Sequence, residues 1–107
     1  MILRPKTLAN CEVKIKFNLQ DYEGLEIDLA HVNKNKRTNY SIVEVADIFV
    51  SIINEMTLKP SDEKKFDDEF CAYYVKIGIY NKKNFKVVFC ICSDRPRKLG
   101  VITLYRL

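Results

Sequence analysis

The sequence predicts an α+β domain, a mostly antiparallel sheet of four to five strands packed on one long helix. Three observations lead there. Two stretches near the N-terminus alternate apolar and polar residues. One capped amphipathic run follows. Three strand-like stretches then close the chain in quick succession. The 107 residues read as a single domain, 1–107, long enough to bury a core without staples.

The first strand covers residues 11–18, where Cys11, Val13, Ile15 and Phe17 alternate with Glu12, Lys14 and Lys16. Residues 19–24, with Asp21 and Gly24, suit a turn. Leu25, Ile27 and Leu29 resume the alternation, as a hairpin partner or as a strand leading into a short helix. Residues 31–41 are polar and basic. Ser41 then opens a capping box with Glu44. After it, Ile42, Val45, Ala46, Phe49, Ile52, Ile53 and Met56 keep helical spacing, and Pro60 marks the region where the helix must end. Residues 60–69 form an acidic loop. In 70–80, Cys71, Tyr73, Val75, Ile77 and Ile79 share a strand face. Asn81–Asn84 is a hairpin turn. Residues 85–92 are mostly apolar, as in a central strand, and 93–100 are a basic connector. In the last strand, 101–107, Ile102 and Leu104 are expected against the helix, with Thr103 and Tyr105 facing away.

Net charge is +4, which permits an acidic partner without demanding one. Four cysteines, Cys11, Cys71, Cys90 and Cys92, lie in apolar alternations and read as buried thiols. They form no C-x-x-C pair, and the one histidine cannot complete a zinc set with them. No metal and no cofactor are therefore expected. No stretch resembles a signal peptide or a membrane-spanning helix, so the cytoplasm is the expected compartment and no membrane partner is expected. Phosphate-loop, nucleophile-elbow and zinc-protease motifs do not occur.

The chemistry-bearing residues are few. His31 ends an alternating strand, and Lys34, Lys36 and Arg37 follow it. An imidazole titrates near ~6.5 and can exchange protons at neutral pH, and the cations could hold a phosphate beside it. Thr103 and Tyr105 put two hydroxyls on one strand face. Further basic runs lie at 82–86 and 95–98.

Taken together, a strand ending in His31, the trailing Arg37, the helix start Ser41-Ile42-Val43-Glu44-Val45 and the final Val101-Ile102-Thr103-Leu104-Tyr105 resemble the small RNase toxins of the barnase–EndoU–colicin–RelE (BECR) superfamily. The likeness spans residues 25–107. It implies a BECR-like fold and metal-independent cleavage of tRNA or mRNA. A base takes the ribose 2′-OH proton, the oxygen attacks phosphorus, and an acid protonates the leaving 5′-oxygen, leaving a 2′,3′-cyclic phosphate. The site so implied has His31, Arg37, Thr103 and Tyr105 at the reacting phosphate. Lys34, Lys36, Arg95, Arg97 and Lys98 would hold the RNA. EndoU-like members generally use two histidines and a lysine. With one histidine, the second proton-transfer group is Tyr105 or a lysine, as RelE-like members manage with Lys, Arg and Tyr. A cognate antitoxin or immunity protein is the further partner the likeness suggests.

Two other readings compete. One is a non-enzymatic protein-binding module, such as an immunity protein, antitoxin or phage-encoded inhibitor, using the acidic 62–69 loop or the basic 81–98 stretch. The other is nucleic-acid binding without catalysis, with Tyr73, Tyr74 or Tyr80 stacking on bases.

Overall fold

The computed structural model describes residues 8–34, 38–63 and 69–107. The chain runs β1 (Ala9–Phe17), β2 (Gln20–Ile27), α1 (Leu29–Lys34), α2 (Ile42–Ile53), β3 (Cys71–Tyr80), β4 (Lys83–Cys92) and β5 (Lys98–Arg106). The strands form one sheet in the order β1-β2-β5-β4-β3.

Two tight hairpins set the outer pairs. Asn18 and Leu19 join β1 to β2, and Asn81 and Lys82 join β3 to β4, all four with positive φ between 49° and 65°. Positive φ at both loop residues matches the right-handed twist of the flanking strands. The first turn therefore falls before Asp21 and Gly24. Gly24 lies inside β2, where a Cβ would stand 2.9 Å from the Cys11 carbonyl oxygen.

The expected architecture needs correcting in two respects. The sheet is mixed: β2 and β5 pair in parallel, Gly24–Ile27 against Lys98–Val101, while the other three ladders are antiparallel. β5 reaches this place because it inserts between the two hairpins rather than adding to an edge. Nor is there a long helix on the sheet. α1 has 6 residues and α2 has 12. The capping box is present as expected, with Glu44 N–H donating to Ser41 Oγ at 3.1 Å and Ser41 N–H to Glu44 Oε1 at 3.0 Å. The far end of α2 is cut by contacts with the first hairpin. Lys16 N–H donates to Asn54 Oδ1, and Glu55 N–H to the Lys16 carbonyl. Met56 then bridges to Phe17. Helical periodicity through Met56 yields to these distant hydrogen bonds.

The core lies between α2 and one face of the sheet. Phe17, Phe49 and Phe89 are fully buried with Leu25, Ile27, Leu99, Val101 and Leu104. Phe89 is the hub, with ring centroids 5.1 Å from both Phe17 and Phe49 and 5.2 Å from Tyr74. The other face carries a smaller cluster of Cys71, Tyr73 and Cys92, with Cys90 and Ile102 against it. Cys71 and Cys92 are joined by a disulfide, so the expectation of buried thiols is wrong for this pair. Opposed positions on neighbouring antiparallel strands bring the two sulfurs together. Cys90 Sγ lies 3.8 Å from Cys92 Sγ, over Gly100, where a Cβ would come within 2.9 Å of it.

Candidate functional site

The site begins with an irregularity in β5. Val88 of β4 opposes Thr103, but the next residue, Phe89, opposes Val101. Ile102 is the extra residue of a β-bulge. Strict alternation would put Val101, Thr103 and Tyr105 on one face. The bulge resets the alternation, so Val101 and Leu104 both enter the core beneath α2. Thr103 and Tyr105 turn to the opposite face, half-exposed. The expectation for the two hydroxyls holds. That for Ile102 fails, because it packs on Cys71, Tyr73 and Cys92 instead of on α2. Bulges re-aim side chains in this way and are common beside active sites.

β4 supplies the neighbours. Lys86 stands opposite Tyr105 and Val88 opposite Thr103. Side chains directly across an antiparallel pair have Cβ atoms about 5 Å apart, so an ammonium and a phenol share one patch. Lys86 is half-buried while Val88 is nearly closed off. In the sequence Lys86 stands only as one member of the basic run 82–86. The alternation Phe85, Val87, Phe89 on the core side is the signal that assigns it to the hydroxyl face.

α1 sits against β5. The Asp28 N–H donates to the Val101 carbonyl at 3.1 Å, so α1 begins where β2 ends. Asp28 also caps the helix, its Oδ1 accepting from the His31 N–H at 3.1 Å. Val32, fully buried, ties the helix to the core. His31 and Lys34 are exposed on the outer side of α1. His31 is three residues beyond the anchor at Asp28, about 4.5 Å along the helix axis. Thr103 is two residues beyond Val101 but, across the bulge, only one step along β4, about 3.4 Å. His31 and the hydroxyl pair thus belong to the two segments that the Asp28–Val101 hydrogen bond joins.

The remaining expected residues lie elsewhere. Arg95 donates from Nη1 to Glu26 Oε2 at 2.8 Å, and Arg97 from Nη1 to Glu23 Oε1 at 3.1 Å. Lys98 Nζ donates to Asn10 Oδ1 at 3.0 Å. All three side chains tie the 93–98 connector and the start of β5 to the β1–β2 hairpin. Lys36 and Arg37 fall outside the described residues. No group of three or more metal-ligating side chains gathers among the described residues. Likewise, no helix there is long and apolar enough to cross a membrane.

No family model matches the chain, and neither curated proteins nor solved structures give a match. The site must be read from its own chemistry. The chain offers an imidazole on a short capped helix, two hydroxyls on the bulged strand that this helix packs against, and an ammonium facing one of them. That set can move protons and balance negative charge on a phosphate.

Proposed function

We propose that this chain is a metal-independent endoribonuclease acting on tRNA or mRNA. The observation that carries this reading is the bulge at Ile102, which turns Thr103 and Tyr105 out of the core beside Lys86. The bulge lets Val101 and Leu104 both fill the core while two hydroxyls are delivered to the opposite face.

The chemistry divides among the residues as follows. His31 takes the proton from the ribose 2′-OH. The oxygen attacks phosphorus, and the P–O5′ bond breaks to leave a 2′,3′-cyclic phosphate. Tyr105 gives its proton to the departing 5′-oxygen. The Lys86 ammonium offsets the charge that builds on the phosphoryl oxygens, and Thr103 donates a hydrogen bond to one of them. Lys34 meets the neighbouring phosphate. Because the attacking group is the 2′-OH, DNA is not cut. The same residues that suggested the BECR superfamily, His31 and Val101–Tyr105, carry this assignment. Action on tRNA or mRNA means action in the cytoplasm. Thiols there are kept reduced, so the Cys71–Cys92 bridge would belong to a chain that also meets an oxidising environment.

The test is incubation of the purified protein with a tRNA and mRNA pool. His31→Ala is expected to slow cleavage by about 10²-fold or more, and Tyr105→Phe by a similar factor. Intact RNA in the presence of folded wild-type protein would sink the reading.

A second reading rests on a separate observation. Ile77 and Ile79 are 54% and 70% exposed on the face away from α2. Two β-branched apolar residues two apart on an edge strand suit a protein partner, such as a cognate inhibitor. Ile79→Glu would then abolish a stoichiometric complex while leaving RNA cleavage unchanged.

A further inference from the structure

A cleft of about 290 Å³ opens between the first turns of α2 and the end of the sheet where β5 finishes. It lies on the core side of β5, across the sheet from Thr103 and Tyr105. Its two walls carry opposite charge. Glu44 and Asp47, three apart on α2, form the acidic wall, and Lys83 of β4 with Arg106 of β5 forms the basic one. Among the described residues, neither cation is ion-paired with either carboxylate. The floor is apolar, made by Ile48 and the buried Phe85. Tyr40 and Tyr80 stand at the rim.

The rim is held in place. Asn33 of α1 accepts from the Tyr40 N–H at 2.9 Å and donates to its carbonyl at 3.1 Å. The Tyr80 ring packs edge-on against Phe85, with centroids 6.2 Å apart. Glu44 gives one oxygen to the capping box, so Asp47 is the carboxylate with both oxygens available to a ligand.

A ligand that satisfies every wall needs an anionic group, a flat ring and an edge of adjacent N–H donors. We propose that this cleft binds a guanine nucleotide, with its phosphate on Lys83 and Arg106 and its base on Asp47. A carboxylate only accepts hydrogen bonds. Guanine places its N1–H and N2–H donors side by side, a match for the two oxygens of Asp47. Adenine, cytosine and uracil each put an acceptor next to their donor, and a carboxylate repels it. Arginine and lysine suit the phosphate, and the tyrosines give the base a stacking surface. The inference goes beyond RNA cleavage and does not depend on it.

The experiment is titration of the full chain with 5′-GMP, 5′-AMP, 5′-CMP, 5′-UMP and inorganic phosphate, followed by amide NMR shifts. Saturable 5′-GMP shifts are expected at Tyr40, Asp47, Lys83 and Arg106. The other nucleotides should bind about tenfold more weakly, the order one bidentate base contact supplies. Asp47→Asn should remove the preference for GMP and keep phosphate binding, whereas Arg106→Gln should weaken all ligands together. Both positions are exposed, so both variants should fold. Equal affinity for the four nucleotides, phosphate binding as tight as GMP, shifts outside the cleft, or no saturable binding would each overturn the proposal.

Discussion

The two faces of the sheet are built on different plans. Beneath α2, aromatic rings interlock around Phe89, and the buried side chains form one continuous core. The opposite face has a disulfide with a few neighbours at one end of β3 and β4, then exposed isoleucines and the Lys86, Thr103 and Tyr105 patch toward the other. The bulge at Ile102 joins the two plans, because it serves the core with Val101 and Leu104 and still delivers two hydroxyls outward. Buried packing is concentrated on one side, and Lys86, Thr103 and Tyr105 lie on the other.

The largest expected effect breaks the covered face. Phe89→Ala removes the hub of the ring cluster and should cost about 3–5 kcal/mol, read as a lower urea midpoint. On the other face, opening the Cys71–Cys92 bridge with a reductant releases the chain between two cysteines 21 positions apart. A loop of that size stabilises by about 3 kcal/mol. If reduction costs nothing, the bridge contributes no stability and the two faces differ more sharply still.

An intermediate effect comes from pH. Burial raises the Tyr22 phenol above its ordinary value, and a charge on Tyr74 would raise it further. Burial also raises Tyr74, against a lowering hydrogen bond with Asn18. A phenol whose folded value is raised keeps its proton in the native state while the unfolded chain loses one. Its contribution is full below about pH 10 and declines as pH rises through the folded value. Thermal melts should therefore fall above pH 10, and Tyr22→Phe should flatten that fall. The smallest effect is expected at Tyr105→Phe, within about 0.5 kcal/mol of wild type in stability, although activity should drop.

The sequence shows local features well and distant ones poorly. The Ser41–Glu44 box and the alternation of Ile15 and Phe17 depend on neighbours, so both were readable. So was the turn at Asn81 and Lys82. The end of α2 was not, because Lys16 stops it from far along the chain. The parallel pairing of β2 with β5 joins segments more than seventy residues apart, and nothing local announces it. The Cys71–Cys92 bridge needs the β3–β4 register before it can be seen. The bulge is the instructive case for the site. Val-Ile-Thr-Leu-Tyr alternates acceptably in either register, and only the demand that Val101 and Leu104 both fill the core decides it. Thr103 and Tyr105 were found as a pair, while Lys86 emerges only once the β4–β5 register is known.

The proposed function has the outward groups of α1, β4 and β5 cut RNA. Its most direct test is the chemistry of the RNA ends left by wild type, His31→Ala and Tyr105→Phe, each first shown to be folded. Fragments ending in 2′,3′-cyclic phosphate from wild type, and sharply fewer from both variants, are the predicted result. Intact RNA with wild type, or equal cleavage by all three proteins, would contradict it.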